Sequence, residues 1–334
     1  MSTEVESGRA VSRWRFKPSQ EALVILVTLV LVAVFSVSLN GFATVSNFFT
    51  LTRSVSALGI LGLGMGIVVI SRGLDLSQIA VMAVSAAYTL NLLQSGQPMA
   101  LALLAGLAVA LAIGALNGFL IAFVEISALF TTLAMGFLVY GLSRTVLLDG
   151  TIAYVPNDLT SFLWFGQGRL WGIPVSILVF AAAALVTHLF LTRTTFGKFI
   201  YSQGDNYQTA RLTGIAMRPM TILIYALCSG IGFLAGLVIA ATTASMNTQI
   251  VNSTFVFDVI LVVVLGGISL VGGRGSVVSV IAGTLLIGTL LNAMTIMDFD
   301  NNAQNITKGL VLLAAIILDT RLHPRDEETA RQGD

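Results

Sequence analysis

VSALGILGLGMGIVVISRGLDLSQIAVMAVSAAYTLNLL, residues 55–93, decides the fold. It is 39 residues long and carries two charges, Arg72 and Asp75, both in the central segment Ser71-Arg72-Gly73-Leu74-Asp75-Leu76. A helix needs about 20 apolar residues in succession to cross a bilayer. The stretch therefore reads as two spans in tandem, parted by a short polar break. Gly59, Gly62, Gly64 and Gly66 fall along the first span. Lipid gives helices no hydrophobic drive to associate, so small residues that let backbones approach do that job. The same glycines also suit the wall of a passage.

The rest of the chain repeats this pattern. Of 334 residues, 56% are hydrophobic and 10% charged. A soluble domain carries roughly 25% charged residues to cover its surface, so lipid must be the solvent over much of this one. Ten candidate spans lie at 22–39, 54–70, 77–93, 99–115, 128–147, 173–191, 220–243, 256–271, 277–297 and 306–318. The expected fold is all-α: a polytopic helical membrane protein with about ten transmembrane helices. Residues 1–20 read as a cytoplasmic N-terminal tail, since they lack the short apolar core and small-residue cleavage site of a signal peptide. Residues 21–320 form the membrane domain and 321–334 a cytoplasmic C-terminal tail.

Basic residues favour the cytoplasmic side of a membrane. With the N-terminus inside, the inner segments hold Arg9, Arg13, Arg15, Lys17, Arg72, Arg193, Lys198, Arg211, Arg218, Arg274, Arg321, Arg325 and Arg331, thirteen of seventeen. The outer segments hold Arg53, Arg144, Arg169 and Lys308. An even number of spans keeps this alternation and puts both termini in the cytoplasm. Two connections are long. Residues 148–172 lie outside with Trp164 and Trp171, a residue type suited to the membrane interface, and read as a short amphipathic or re-entrant piece. Residues 192–219 lie inside. Their core Tyr207-Gln208-Thr209-Ala210-Arg211-Leu212 is helix-capable and ends before Gly214 and Pro219. Such a helix either docks a partner or rests on lipid headgroups.

Net charge is +1, so no overall field draws nucleic acid. Cys228 is the single cysteine, which excludes a disulfide within the chain. His188 and His323 are far apart, and no metal site is expected. No serine elbow, His–Glu metal spacing or paired buried carboxylates occur, so no enzyme activity and no cofactor is expected. The run Leu265-Gly266-Gly267-Ile268-Ser269-Leu270-Val271-Gly272-Gly273-Arg274-Gly275-Ser276 has no Gly-Lys-Ser/Thr ending and reads as a tight cytoplasmic turn, not a phosphate cradle.

Polar groups inside apolar runs are costly unless paired or facing water. Asp75 and Ser77 either set a helix break beside a passage or cap the next helix, and the two roles are compatible. Asn117, Thr131, Thr132 and Asn292 either meet a solute or tie two helices together. Asp258 opens the eighth span and is expected to cap it. Asp75, Ser77, Asn117, Thr132 and Asn292 are the candidate lining of a passage.

Four stretches resemble, in order, the permease subunits of bacterial ABC importers of the ribose-type sugar family. Val69-Ile70-Ser71-Arg72-Gly73-Leu74-Asp75-Leu76-Ser77 resembles its Gly-Gly-Ile-Asp-Leu-Ser segment. Leu116-Asn117-Gly118-Phe119-Leu120-Ile121 with Thr131-Thr132-Leu133-Ala134-Met135 resembles its Asn-Gly…Thr-Leu-Gly-Met run. Thr195-Phe196-Gly197-Lys198-Phe199-Ile200-Tyr201 with Gly204-Asp205-Asn206 and Ala210-Arg211-Leu212-Thr213-Gly214-Ile215 resembles its cytoplasmic loop. Gly266-Gly267-Ile268-Ser269-Leu270-Val271-Gly272-Gly273-Arg274-Gly275 resembles its late glycine signature. The likeness spans about residues 20 to 320. The chain departs from the pattern at Arg72, where the family commonly has glycine, and at Gln78-Ile79, Val256 and Ile268. These departures point to a divergent solute or to one half of a heterodimer.

The resemblance implies an inner-membrane translocation subunit importing a monosaccharide, pentose or hexose. It implies a second permease chain, identical or paralogous, two cytoplasmic ATP-binding subunits or a fused double ATPase, and a periplasmic solute-binding protein. In such importers a short cytoplasmic helix fits a cleft on the ATPase. Here that helix falls at about 206–214, and Gly197, Lys198, Gly204, Asn206, Ala210, Arg211, Gly214 and Ile215 are the expected coupling residues. Other readings are the same machine for a nucleoside or amino acid, an ion-coupled transporter centred on Asp75, or a receptor or scaffold without transport.

Overall fold

The computed structural model describes residues 20–148, 150–156 and 158–322, with side chains to 317. The expected tails lie outside the described residues, except for Gln20 and residues 321–322. The described chain holds α1 Gln20–Ser38, α2 Val45–Ile70, α3 Gln78–Gln94, α4 Met99–Phe123, α5 Ala128–Leu142, α6 Thr160–Gln167, α7 Val175–Arg193, α8 Thr195–Asp205, α9 Tyr207–Leu212, α10 Met217–Thr243, α11 Phe255–Gly266, α12 Val277–Ile296 and α13 Asn301–Leu322. A π-helical turn, Ser143–Leu147, extends α5. Two small antiparallel ribbons pair β1 Ile152–Tyr154 with β4 Ser245–Asn247, and β2 Arg169–Leu170 with β3 Ile173–Pro174.

Among the described residues, seven helices are long and apolar enough to cross a membrane: α1, α2, α4, α5 with its π turn, α7, α10 and α12. The protein is an all-α polytopic membrane protein. Helix α3 has 17 residues and α11 has 12, while α13 has 22 but opens on a polar turn. Several ends differ from those expected: α4 runs on to Phe123, not 115, and α13 covers Asn301–Leu322, not 306–318. Helix α2 starts at Val45, not at 54, because the Thr44 hydroxyl accepts from the Asn47 N–H (3.2 Å) and starts the helix ahead of the apolar run. Helix α11 stops at Gly266, not at 271, because Gly267 turns left-handed at φ +102°.

Helix α2 is the axis of the bundle, buried continuously from Val55 to Ile70. Its glycines face different neighbours. A Cβ on Gly59 would lie 2.5 Å from the Phe180 ring of α7, and one on Gly64 2.7 Å from the Gln78 amide of α3. Close backbone approach is therefore what the glycines supply. Helix α4 packs on α10 in the same way, with Gly114 against the Tyr225 carbonyl and Gly118 against the Ile222 backbone. Outward faces stay apolar, as at Leu26 and Leu29 of α1, Leu104 of α4 and Val186 of α7. That is the surface a bilayer requires.

The outer connection of the sequence reading becomes β1, α6 and β2, with β1 paired to β4 after α10 and β2 to β3. They gather at one end of the bundle, where Arg169 lies 4.1 Å over the Phe49 ring and Gln167 donates to the Thr242 carbonyl at 3.2 Å. Helices α8 and α9 sit at the other end with the turn at 267–276. Asp258 does not act as the expected cap. Its carboxylate lies 3.0 Å from Lys308 Nζ, and both side chains are largely buried. The two residues are 50 positions apart, on α11 and α13, so the pair ties α13 to α11.

Removing one partner of a buried ion pair costs about 3–5 kcal/mol, whereas an apolar replacement of both is nearly neutral. Lys308→Met should therefore lower the thermal midpoint of the purified protein in detergent markedly. The double variant Asp258→Leu/Lys308→Met should recover most of the loss.

Candidate functional site

The break between α2 and α3 follows from how α2 ends. Ser71 caps the helix, Arg72 N–H donates to Val69 O and Gly73 N–H to Val68 O, both at 2.9 Å. This pair of hydrogen bonds is the glycine-type helix stop, normally closed by a left-handed glycine. Arg72 occupies that place with φ +68°. A left-handed L residue costs roughly 1–2 kcal/mol, so the position is strained. Gly73 then passes close under Tyr225, whose hydroxyl would sit 2.6 Å from a Cβ there.

Residues 74–77 run irregularly through the bundle, and other helices supply their partners. Tyr225 Oη of α10 donates to Leu74 O at 3.3 Å. Leu76 N–H donates to Thr132 Oγ1 of α5 at 3.1 Å. Asp75 Oδ1 accepts from Ser77 N–H at 3.0 Å and from Ser77 Oγ at 2.6 Å. Asn117 Nδ2 of α4 donates to Ser77 Oγ at 2.8 Å. Asp75, Ser77, Asn117 and Thr132 are all fully buried. Four of the five expected lining residues therefore form one cluster contributed by the break and two helices, α4 and α5.

Asn292 stands apart. It exchanges two amide hydrogen bonds of 2.8 Å with Asn47, joining α12 to α2, which is the helix-tie role. The capping reading of the break holds in altered form. Ser77 takes the N-cap place of α3 without a side-chain cap bond, and the Asp75 carboxylate accepts from its N–H instead.

The cluster is under-satisfied. Asp75 Oδ2, Asn117 Oδ1, Gln78 Oε1 and Ser229 Oγ are buried without a hydrogen-bond partner in the protein. A buried polar atom left alone costs about 1–3 kcal/mol, so these atoms ask for water or a solute hydroxyl. Gln78, Tyr225 and Ser229 are not singled out as lining by the sequence analysis. The signal that finds them is the one that found Asn117: a polar group inside an apolar run.

Below the break lies a cavity of about 770 Å³. Ser71, Arg72 and Gly73 line one wall, Gln203, Tyr207 and Arg211 another, and Thr221 and Tyr225 of α10 line it too, Tyr225 also bonding the Leu74 carbonyl. Exposed Arg218 and Glu125, paired at 3.2 Å, stand at its rim.

The segment expected to couple folds as two helices. Gly197, Lys198 and Gly204 lie on α8, a helix the sequence reading treated as loop. Thr194 starts α8 by accepting from Gly197 N–H at 3.1 Å. Asn206 caps α9 by accepting from Thr209 N–H at 2.9 Å. Ala210 is buried, Arg211 is exposed and Gly214, at φ +87°, ends the helix before Ile215. Tyr201 of α8 donates to Gly275 O at 2.9 Å, and burial together with the Glu21 carboxylate holds its phenol above the usual range, so it stays a donor.

The described residues form a bundle of apolar helices with a buried polar break and a cavity at one end. Residues 47–318 match the family described as branched-chain amino acid transport system / permease component. The chain belongs to this family of permease components. It is similar to the ribose import permease protein RbsC of Escherichia coli (strain K12), at 31% identity over 96% of this chain and 99% of that one. It is similar to the L-arabinose transport system permease protein AraH of the same strain, at 32% over 88% and 89%. With the galactofuranose transporter permease protein YtfT of that strain it shares 27% over 79% and 76%. No solved structure matches. The chain is a non-catalytic subunit of its transport system.

Ser77→Ala removes the hydroxyl donor to Asp75 and the acceptor of Asn117 together, leaving the backbone N–H of residue 77 on Asp75. A loss of about 1–3 kcal/mol in stability is expected, measured as a lower thermal midpoint in detergent. Ser202→Ala, at an exposed hydroxyl of α8, should change it little.

Proposed function

We propose that this chain is the membrane-spanning translocation subunit of an ATP-driven importer for a monosaccharide. The observation that carries the proposal is the end-to-end likeness to permeases named for ribose and L-arabinose. The family description names branched-chain amino acids, and the lining argues for the sugar. A zwitterion needs one partner of each sign, whereas the cluster presents one carboxylate among amides and hydroxyls. Such groups match the donors and acceptors of a neutral polyol. Weak binding there would let the solute leave, with selection resting on a periplasmic binding protein.

In this reading ten helices cross the membrane: α1 to α5, α7 and α10 to α13. Both termini are cytoplasmic. The placement of basic residues supports it, with Arg72, Arg211 and Arg218 around the cavity at one end and Arg53 and Arg169 at the other. Two ATPase subunits, or one fused double ATPase, bind the α8–α9 end, and a second permease chain completes the membrane part. Helix α9 is the ATPase contact. It is short, capped at both ends, and presents Leu212 almost fully to solvent, at 86% exposure.

Leu212→Glu leaves the buried packing untouched, so folding should be unaffected and co-purification of the ATPase should be lost. Proteoliposomes holding the whole complex and its binding protein should accumulate labelled ribose or L-arabinose only with ATP. Accumulation of leucine in place of either sugar would contradict the proposal.

A further inference from the structure

Three segments meet at Arg72. Its Nε donates to Gly204 O at 2.6 Å and its Nη2 to Asp205 O at 2.7 Å. These are the last two carbonyls of α8, groups with no partner inside a helix, at the negative end of its dipole. A guanidinium offers its donors as a rigid fork, so the two bonds fix orientation as well as distance. The Arg72 stem lies against Gly272, where a Cβ would collide with its Cγ. Gly204 lacks a Cβ and so admits the Ile70 carbonyl, which also accepts from Gly273 N–H at 2.8 Å.

The junction is short in both directions. Asp205 continues through Asn206 into α9. Arg72 continues through Gly73 and Leu74 into Asp75. The helix stop itself does not call for arginine, because glycine holds a left-handed stop without strain. What arginine adds at φ +68° is the fork onto α8.

We infer that Arg72 is a positioning residue that carries movement of α8 and α9 to the Asp75–Ser77–Asn117–Thr132 cluster, and so links ATP hydrolysis to opening of the path. The inference rests on the reading of α9 as the ATPase contact.

Three variants of the full complex, reconstituted with its binding protein, separate the possibilities. Arg72→Gly keeps the helix stop and removes stem and fork. Arg72→Met keeps the stem and removes the fork. Arg72→Lys keeps a charge on a single-point donor. The readout is labelled ribose or L-arabinose accumulated per ATP hydrolysed. For Arg72→Gly and Arg72→Met, ATPase binding and hydrolysis should stay near wild type while the ratio falls about tenfold, a common size for coupling between linked sites. Arg72→Lys should restore part of it. A simple helix cap would lower assembly and both rates together and leave the ratio alone. A wild-type ratio in Arg72→Gly or Arg72→Met, or loss of ATPase binding in both, overturns the assignment. If wild type couples and Leu212→Glu still binds the ATPase, the reading of α9 fails separately. If wild type shows no ATP-driven sugar uptake, the transport reading falls and the Arg72 assignment with it.

Discussion

Backbone N–H and C=O groups have no water to turn to inside a bilayer, so a break between two buried helices must find its partners in the protein. Residues 71–77 are such a break, between α2 and α3. Much of the bundle is arranged to serve it. Helix α10 brings Tyr225 to the Leu74 carbonyl, α5 brings Thr132 to the Leu76 N–H, and α4 brings Asn117 to Ser77. Glycines on α4 let that helix sit against α10 closely enough for this. The break is thus held by helices that also form the wall of the proposed path.

Polar groups in the bundle fall into two kinds. Asn47 and Asn292 satisfy each other, and Asp258 pairs with Lys308 through Oδ2 while its Oδ1 accepts no hydrogen bond; both pairs join helices. Polar atoms of the break cluster do not all find partners, and four buried ones remain without. Fully paired groups rigidify a membrane bundle. Unpaired ones in a buried site keep a standing demand for hydroxyl donors and acceptors.

The membrane architecture was legible from apolar run length, and each of the ten expected segments contains a helix. Helix ends were less so, because Thr44 and Gly267 set them through local backbone geometry that hydropathy does not register. Asp75, Ser77, Asn117 and Thr132 were legible as polar groups in apolar runs. Their meeting was not, since Asn117 and Ser77 are 40 positions apart. The same holds for Arg72 and Gly204, 132 apart, and for Lys308 and Asp258, 50 apart. Sequence spacing reports neighbours on one helix and says little about partners on another. Helix α8 was missed for a different reason: its polar, glycine-containing sequence carries no apolar run, and its start depends on the Thr194 cap.

The central claim is that the buried break and the α8–α9 pair move as one. Hydrogen exchange read by mass spectrometry on the assembled complex tests it most directly, comparing the nucleotide-free state with one trapped on ATP. The account predicts that protection changes in peptides covering 71–78 together with those covering 195–215. A change confined to 195–215, with 71–78 equally protected in both states, would contradict it.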